Sequence, residues 1–303
     1  MNQEFYNKLI LIINEESIFL DEPMEKHTTF RIGGPADYFV MPANAKQVQE
    51  VIALCTKQGV PFYIIGNGSN LLVGDKGYRG MIIQLYKNMN RITIEENTIT
   101  AQAGALLSKV AAAACENSLA GFEYASGIPG TIGGAVVMNA GAYGGEIRNH
   151  ILSAMVLNKD NEVISLDKEE LDLGYRTSVI ANKGYIVLEV VLELSSGDQK
   201  EIKAHIDELK DRRINKQPLE FPSAGSTFKR PEGYFAGKLI QDAGLKGFQV
   251  GGAQVSEKHS GFVINKEHAT AADVVSLMEQ VSAQVKLQFG VTLEPEVKRL
   301  GVF

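Results

Sequence analysis

Two glycine-rich segments are the parts of this sequence best suited to bind a phosphate-bearing ligand. The first, residues 66–71, reads Gly-Asn-Gly-Ser-Asn-Leu and follows a predicted strand. Glycines one residue apart allow backbone N–H groups to point into one concavity, which suits a pyrophosphate. Leu71 replaces the last glycine of a GxGxxG motif and no GK[ST] follows, so a tight turn between strands explains this segment equally well on its own.

The second segment covers residues 126–146 and begins Ser-Gly-Ile-Pro-Gly-Thr-Ile-Gly-Gly. Residues 124–145 include no charged side chain, but their glycines and Pro129 favour turns and close backbone approach over a membrane helix. Two glycine loops in one domain favour a long ligand that carries a diphosphate.

Three polar side chains elsewhere have the chemistry for proton transfer or anion binding. Ser226 lies in Ala-Gly-Ser-Thr-Phe, which is not the GxSxG of a nucleophile elbow, so a serine in a polar turn is the simplest interpretation. Arg176 offers a guanidinium fork for a carboxylate, or is a solvated charge. Glu296 ends a Glu-Pro-Glu sequence, where the proline indicates a strand edge or a bend.

A basic cluster near the end of a predicted helix is either a solvated helix face or a phosphate clamp. Its members are Lys210, Arg212, Arg213 and Lys216.

The composition limits the classes of function. The chain has 30 Lys and Arg against 36 Asp and Glu, a formal charge of −6, which argues against broad binding to nucleic acids or anionic membranes. Five histidines without HxxxH or HxH spacing and two distant cysteines predict neither a metal centre nor a disulfide framework. The N-terminal segment differs from a secretory signal, which predicts a cytoplasmic protein.

Local patterns predict an α+β fold. Helices are predicted at residues 44–58, 105–117, 200–213 and 270–289, hairpins at 92–102 and 151–166, and further strands at 60–65, 187–194 and 291–298. Asn44 and Gly59 are the expected caps of the first helix, and Thr270 with Asp273 forms an expected capping box. A change of sequence character at residues 195–198 predicts a domain boundary.

Seven segments, in order, resemble the UDP-N-acetylenolpyruvoylglucosamine reductase family of flavoenzymes and span nearly the whole chain. They are HTTFRIGG (27–34), GNGSNLLV (66–73), SGIPGTIGGAVVMNAGAYGGE (126–146), GYRTS (174–178), AGSTFKRP (224–231), AGKLIQDAGLKGFQVGGAQVS (236–256) and LEPEV (293–297). The chain resembles the shorter form, common in Gram-positive bacteria, because residues 174–187 leave little room for the tyrosine-bearing loop of the longer form.

The resemblance implies a vanillyl-alcohol-oxidase-like FAD-binding domain plus a smaller α+β substrate-binding domain. The implied boundaries are an N-terminal lobe of the FAD-binding region at 1–60, the FAD-binding domain at 61–197 and the substrate-binding domain at 198–303, with the last strand returning to the flavin site. FAD is expected to bind non-covalently, NADPH to be the co-substrate, and the protein to be a monomer without nucleic-acid or membrane partners.

The implied activity is that of UDP-N-acetylmuramate dehydrogenase, an NADPH-dependent oxidoreductase. It reduces UDP-N-acetylglucosamine enolpyruvate to UDP-N-acetylmuramate for peptidoglycan precursor synthesis, and so serves cell-wall biogenesis, cell shape and cell division. The resemblance implies that a hydride passes from flavin N5 to the enolpyruvyl methylene. Ser226 matches the proton donor to the neighbouring carbon, and Arg176 and Glu296 match the catalytic residues that stabilise the intermediate charge.

The resemblance also assigns binding residues. The implied cofactor contacts are Arg31, Gly66, Asn67, Gly68, Ser69, Asn70, Leu71, Gly127, Pro129, Gly130, Thr131, Gly133, Gly134, Asn139 and Gly144. The implied substrate contacts are Tyr175, Arg213, Lys216, Lys229 and His259. His259 and Arg230 stand where other members carry a glutamine and an asparagine. Within the first glycine segment, Asn67, Gly68 and Ser69 are expected to face the diphosphate.

Two other functions remain open at this stage. A flavin oxidase of the same cofactor fold is disfavoured because such enzymes often tether flavin through a histidine, and none lies between Thr28 and Arg148. A nucleotide-sugar-binding regulator without chemistry would purify colourless, whereas a yellow preparation would exclude it.

Overall fold

The computed structural model describes residues 3–303, and the chain divides into two compact units. The first contains the chain up to residue 19 with residues 38–67 and 81–213, and the second contains residues 20–37, 68–80 and 214–303. The predicted boundaries after residues 60 and 197 differ from this division. The physical reason is a long-range parallel ladder between residues 71–73 and 298–300, which joins the segment 68–80 to the C-terminal part of the chain.

The secondary structure mixes helices with mostly antiparallel strands, as an α+β fold requires. The α-helices are α1 (Gln3–Leu9), α2 (Ala45–Gln58), α3 (Leu107–Glu116), α4 (Ile132–Val137), α5 (Val179–Lys183), α6 (Gln199–Lys216), α7 (Ala236–Asp242) and α8 (Ala271–Phe289). Short 3₁₀ helices cover Glu15–Ser17, Met24–His27, Glu123–Ala125 and Ile147–Asn149.

The strands follow the same chain order. They are β1 (Ile18–Pro23), β2 (Pro35–Val40), β3 (Phe62–Ile65), β4 (Leu71–Val73), β5 (Tyr78–Gln84), β6 (Ile92–Glu95), β7 (Thr98–Gln102), β8 (Leu119–Ala120), β9 (Gly141–Ala142), β10 (Gly145–Glu146), β11 (Ile151–Leu157), β12 (Val163–Asp167), β13 (Ile186–Glu193), β14 (Ser195–Ser196), β15 (Ser223–Ser226), β16 (Gln249–Val250), β17 (Ala253–Val255), β18 (Phe262–Asn265) and β19 (Lys298–Leu300).

The first unit is built on an antiparallel sheet of order β12-β11-β13-β7-β6. Val190 and Leu192 of β13 are buried while Glu193 is exposed, the alternation expected when one face of a sheet is covered. Helix α4 packs against β13, which places the second glycine-rich segment on this sheet. The predicted caps of α2 are confirmed: Asn44 Oδ1 accepts from the Gln47 N–H at 3.0 Å, and Gly59 is left-handed at φ +66°.

Strands β1, β2, β5 and β3 form a four-stranded sheet in the order β1-β2-β5-β3. The chain positions at which the two units divide fall within β1, β2 and β5. Strands β3 and β5 pair in parallel inside the first unit. Strand β3 ends directly before the first glycine-rich segment, as the sequence predicts.

The second unit contains an antiparallel sheet of order β15-β18-β17-β16, with α8 packed against β16 and β17. The predicted capping box of α8 is confirmed, because Thr270 and Asp273 exchange both of its hydrogen bonds. The Asp75 carboxylate also accepts from the first free N–H groups of α8, those of Ala271 at 2.7 Å and Ala272 at 3.0 Å.

The predicted strand at residues 291–298 is wrong for most of its length. Regular strand structure covers only β19, and within residues 291–297 the one β-bridge among described residues joins Pro295 to Phe228. Proline has no N–H with which to continue a ladder of hydrogen bonds. The segment therefore forms a single bridge at Pro295 instead of an extended strand. Among residues 3–303, no helix is both long enough and apolar enough to cross a membrane.

Candidate cofactor and substrate sites

The start of the first glycine-rich segment contacts the second segment within the first unit. The Asn67 amide donates to the Pro129 carbonyl at 3.0 Å. A Cβ at Gly66 would overlap Thr131 Oγ1, so only glycine allows the two loops to approach this closely. Thr131 caps α4, because its Oγ1 accepts from the Gly134 N–H at 3.4 Å.

A cavity of about 900 Å³ lies beside these loops, entirely within the first unit. Its volume falls in the range of small-molecule and cofactor pockets, roughly 300–1,000 Å³. Backbone of Gly66, Gly133 and Gly134 forms part of the lining. The remaining lining is largely apolar and comes from α2, β3, β11, α5 and β13, with the turn 158–161 adding polar groups.

The glycines of the second segment have different tasks. A Cβ at Gly133 would come within 2.7 Å of the Ala103 Cβ, so this glycine allows α4 to pack on the sheet. A Cβ at Gly134 would meet only Thr131 Oγ1, at an ordinary 3.6 Å, and Gly134 is exposed at the cavity lining. Gly134 is therefore the glycine whose missing side chain leaves room for a ligand rather than for the protein.

Gln84 supports the first glycine segment from the neighbouring strand β5. Gln84 is 2% exposed, and its Nε2 donates to the Gly66 carbonyl at 3.4 Å. Its Oε1 is buried without a partner among the described residues.

Gly68, a predicted cofactor contact, also has a structural role within the chain. It belongs to the second unit and has φ +62°, and a Cβ would overlap the carbonyl oxygen of His27. Its carbonyl also accepts from the Thr29 N–H at 3.2 Å. A Gly68 substitution would therefore disturb the contact with His27 as well as any phosphate contact of the loop.

The remaining predicted residues of the first segment also lie in the second unit. Leu71 is buried at the start of β4, and Ser69 is half-buried. Asn70 connects this segment to the last strand, because its carbonyl accepts from the Lys298 N–H at 3.0 Å and its amide donates to the Glu296 carbonyl at 3.3 Å. The last strand thus pairs next to the end of the first glycine loop, and its predicted return to the flavin site stays a prediction.

Arg31 is exposed, with a left-handed backbone at φ +52°. It lines a separate open cleft of about 590 Å³ in the second unit, together with Lys26, Lys266 and His268. The cofactor contact predicted for Arg31 stays a prediction.

Arg176 occupies the tip of a tight turn in the first unit. Gly174 and Thr177 exchange backbone hydrogen bonds of 3.1 and 3.4 Å, which leaves Tyr175 and Arg176 as the two tip residues. Arg176 is half-buried, has φ +56°, and stacks over the Tyr175 ring at 5.4 Å. Left-handed backbone in a residue other than glycine costs free energy and is enriched at functional sites.

Arg213 lies against the second glycine segment. A Cβ at Gly127 would be 3.0 Å from Arg213 Cδ and 3.2 Å from its Nη1. Burial lowers the pKa of the Arg213 guanidinium, and the nearby Tyr143 phenol raises it. Tyr143 and Gly144, both at positive φ, form the tip of the β9–β10 hairpin, as a type I′ turn requires.

A β-bulge exposes Ser226 in the second unit. The pairing of β15 with β18 shifts by one residue between Ser223 and Ser226, and Gly225 supplies the left-handed backbone at φ +77°. Ser226 is exposed at the end of β15, whereas the next residue, Thr227, is buried. Its hydroxyl is therefore accessible without any packing role.

Glu296 is held beside Ser226. The Glu296 N–H donates to the Thr227 carbonyl at 2.8 Å, and the Lys229 N–H donates to the Glu294 carbonyl at 2.8 Å. These bonds flank the Phe228–Pro295 bridge and align the two segments antiparallel. The backbone of Glu296 is thus paired with the residue that follows Ser226, and the catalytic roles of both residues stay predictions.

The predicted substrate residues near Ser226 have defined environments. The Lys229 ammonium pairs with the Glu294 carboxylate. His259 is half-buried, its Nδ1 accepts from the Gly261 N–H at 3.1 Å, and burial lowers its pKa. The Gly261 carbonyl accepts from the Thr227 N–H at 2.9 Å, which places the His259 turn next to the Ser226 segment. Lys216 is exposed at the C-terminal end of α6.

Several cavity residues carry no signal in the sequence. Ile52, Ile186 and Val187 line the cavity, but an apolar strand or helix face has the same pattern whether it packs on protein or on a ligand. Tyr143 lies in the Ala-Tyr-Gly-Gly turn, where the glycines indicate a turn without indicating that its tip approaches Arg213.

Comparisons with known proteins are consistent over the whole chain. A family model described as the C-terminal domain of UDP-N-acetylenolpyruvoylglucosamine reductase matches residues 217–300, and a model described as an FAD binding domain matches residues 36–167. The UDP-N-acetylenolpyruvoylglucosamine reductase of Clostridium perfringens strain 13 is 57% identical over 303 residues, which covers 99% of each chain. That of Agathobacter rectalis is 53% identical over 315 residues and 100% of each chain.

Solved structures agree with these relatives. The crystal structure of the UDP-N-acetylenolpyruvylglucosamine reductase from Thermus caldophilus has a TM-score of 0.79 at 32% identity, covering 93% of this chain and 98% of that chain. An alkyldihydroxyacetonephosphate synthase structure has a TM-score of 0.50 at 17% identity over 65% of this chain and 41% of that chain, which indicates a shared fold alone.

Proposed function

The chain belongs to the UDP-N-acetylenolpyruvoylglucosamine reductase family, and on that basis we propose how its own residues carry out the reaction. It is an FAD-dependent oxidoreductase that reduces UDP-N-acetylglucosamine enolpyruvate in peptidoglycan precursor synthesis, with NADPH as co-substrate. Its fold class, an FAD-binding domain of the vanillyl-alcohol-oxidase type with a smaller α+β domain, is as predicted.

The residues around the large cavity fit a dinucleotide cofactor. The contact between the two glycine loops and the open Gly134 position both lie beside this cavity in the first unit. Among the described residues that line the cavity there is no histidine or cysteine, which supports non-covalent binding. Bound FAD supplies the two-electron chemistry that couples NADPH oxidation to reduction of the enolpyruvyl double bond.

Gly134→Leu tests whether this cavity holds the cofactor. The variant should fold, because the new side chain enters the cavity instead of protein, and leucine is a better helix former than glycine. FAD affinity should fall by about tenfold or more, the usual cost of forcing atoms into a filled site. The measurement is flavin content and FAD titration of the apoprotein, with Ala112→Leu on the exposed face of α3 as the control. A Gly134→Leu protein that keeps stoichiometric FAD with unchanged affinity would exclude this cavity.

Ser226 is the proposed proton donor. Hydride addition to the enolpyruvyl methylene leaves negative charge on the neighbouring carbon and on the substrate carboxylate, and a proton must reach that carbon. A serine hydroxyl is a weak acid, but a carbanion is a much stronger base, so transfer from Ser226 Oγ is downhill once the hydroxyl is positioned. The bulge at Gly225 supports this role by presenting the hydroxyl outward on a rigid strand.

Arg176 and Glu296 are the proposed partners of the developing charge. A guanidinium binds a carboxylate with two parallel hydrogen bonds, which suits Arg176 to the substrate carboxylate. Glu296 helps in its protonated form, or by orienting the Ser226 segment that its backbone already contacts. The observation that supports the proposal is the backbone hydrogen bond from Glu296 to Thr227, the residue that follows Ser226.

Arg213 and Lys216 are the proposed contacts of the substrate diphosphate. Such contacts are made equally in the ground and transition states, so their loss raises KM more than it lowers kcat. Arg213→Ala should raise KM for the nucleotide sugar by about tenfold, the scale of one charge-assisted hydrogen bond. Arg212→Ala is the matched control, because Arg212 is adjacent on α6, exposed, and paired with Glu208 at 2.5 Å. Equal KM values in the two variants would exclude a contact between Arg213 and the substrate diphosphate.

The activity itself is tested on the purified protein. A yellow preparation should oxidise one equivalent of NADPH as its flavin bleaches, and should oxidise more NADPH only when the enolpyruvyl nucleotide sugar is added. The product should carry two more hydrogens by mass spectrometry. NADPH oxidation that depends on oxygen instead would favour a flavin oxidase, and a colourless protein that binds the nucleotide sugar would favour a regulator.

The setting of the enzyme is part of the proposal. A cytoplasmic location is supported by the co-substrates, because NADPH and nucleotide sugars are cytoplasmic compounds. The net charge of −6 supports the absence of nucleic-acid and anionic-membrane partners. We assign a monomer, and sedimentation of the holoenzyme measures that directly.

A further inference from the structure

Asn139 contacts the Arg176 turn rather than the cavity. It is 2% exposed, lies just after α4, and its Nδ2 donates to the Gly174 carbonyl at 3.2 Å. Gly174 is the first residue of the turn that has Tyr175 and Arg176 at its tip. The Asn139 side chain is therefore bonded to the base of the turn that holds the proposed carboxylate-binding arginine.

The hydrogen-bonding capacity of Asn139 is almost fully used within the protein. Its Nδ2 also donates to Glu146 Oε2 at 3.0 Å, and its Oδ1 accepts from the Arg148 N–H at 3.0 Å. A side-chain amide has two N–H donors, and both are taken by protein acceptors. The cofactor contact that the sequence assigns to Asn139 would have to use its one remaining lone pair.

Glu146 fixes the orientation of the Asn139 amide. Its second carboxylate oxygen pairs with the Arg148 guanidinium, so the carboxylate is held from both sides. Glu146 lies in β10, opposite Gly141 of β9, in the hairpin that carries Tyr143 at its tip. On the far side of the turn, Ser178 is fully buried and donates to the Val137 carbonyl at 2.6 Å.

The Arg176 turn needs such support because its backbone is strained. Arg176 has φ +56° and Asn139 has φ +44°, both in the left-handed region. Asparagine tolerates that region better than most residues, whereas arginine persists there only when its surroundings hold it. The bond to the Gly174 carbonyl is one of the contacts that supply this constraint.

We propose that Asn139 and Glu146 are positioning residues for Arg176. Glu146 orients the Asn139 amide, the amide holds the Gly174 carbonyl, and the carbonyl fixes the turn that aims the guanidinium at the substrate carboxylate. This inference rests on the proposed role of Arg176. It reassigns Asn139 from the cofactor to the substrate half of the reaction.

The test uses Asn139→Gly, which keeps the left-handed backbone and removes only the side chain. In the holoenzyme, amide hydrogen exchange in a peptide spanning residues 171–182 should accelerate by about tenfold or more, while FAD content stays stoichiometric. Bleaching of the flavin by NADPH should change less than twofold, but reoxidation by the enolpyruvyl substrate should slow about tenfold. A tenfold slower reoxidation corresponds to about 1.4 kcal/mol of activation free energy, which is within the range of couplings between residues in contact.

A double-mutant cycle separates positioning from general damage. In an Arg176→Ala background, Asn139→Gly should cause no further loss of reoxidation rate, because the group it positions is absent. Asn88→Ala is the control for losing one amide-to-carbonyl bond in the same unit, since Asn88 donates to the Met41 carbonyl at 2.8 Å, and it should leave both half-reactions unchanged.

Three results would overturn the inference. Loss of FAD with unchanged amide hydrogen exchange at residues 171–182 would make Asn139 a cofactor contact. An equal loss of reoxidation rate from Asn139→Gly in the wild-type and Arg176→Ala backgrounds would make its effect independent of Arg176. If Asn139→Gly does not fold, Glu146→Gln takes its place, and unchanged exchange and reoxidation in that variant would also overturn it. A wild-type enzyme that the substrate fails to reoxidise would contradict the proposed function instead.

Discussion

Ser226→Ala is expected to lower kcat for reduction of the enolpyruvyl nucleotide sugar by about 10²-fold or more, with little change in KM. This is the usual scale for losing a positioned general acid. The substitution removes one oxygen from an exposed side chain at the end of β15, so packing is not disturbed. Initial rates of NADPH oxidation at varied substrate concentration measure both constants.

Two variants decide how the Ser226→Ala result is interpreted. Ser226→Cys should recover part of the lost rate, because a thiol also donates a proton. Ser223→Ala, on the same strand, should behave as wild type. A Ser226→Ala enzyme within a few-fold of wild type would mean that the proton comes from elsewhere, and Glu296 would be the next residue to test.

Arg176→Ala is expected to lower kcat by about 10²- to 10³-fold, the range observed when one preorganised donor to developing charge is removed. Charge on the substrate carboxylate increases between substrate and transition state, so the loss should appear in kcat as well as in KM. Arg176→Lys should retain part of the activity, since an ammonium keeps the charge but not the two parallel hydrogen bonds. Steady-state kinetics with each variant provide the measurement.

The control variant for Arg176→Ala is Arg91→Ala. Arg91 is an exposed arginine of the same unit, and no catalytic role is proposed for it. The control variant should leave kcat and KM unchanged. If Arg176→Lys is as impaired as Arg176→Ala, the fork geometry is essential; if both are active, the substrate carboxylate is neutralised by another group.

Elements with local signals could be predicted from the sequence. The caps of α2 at Asn44 and Gly59 and the capping box of α8 are confirmed, because a cap depends on residues within one turn of a helix. The hairpin of β6 and β7 is confirmed for the same reason. The end of β3 directly before the first glycine segment is also confirmed.

Features that depend on distant partners could not be predicted in this way. The segment 68–80 belongs to the second unit because β4 pairs with β19, more than 200 residues away in the sequence, as the register of Lys298 with Leu71 shows. Gly68 has the sequence signature of a phosphate loop, yet the nearest atom to its missing side chain is the His27 carbonyl oxygen. Asn139 lies in a glycine-rich segment, but its bonding partners come from residues 146, 148 and 174.

Anaerobic rapid mixing, followed by absorbance in the flavin band, tests most directly the central claim that Ser226 protonates the reduced substrate. Wild-type and Ser226→Ala holoenzymes are first mixed with NADPH, and the bleached proteins are then mixed with the enolpyruvyl nucleotide sugar. The two should bleach at nearly the same rate, because that half-reaction needs no proton donor, and Ser226→Ala should then recover its colour about 10²-fold more slowly. Equal slowing of bleaching and recovery would contradict the claim and would make Ser226 a residue that positions the cofactor.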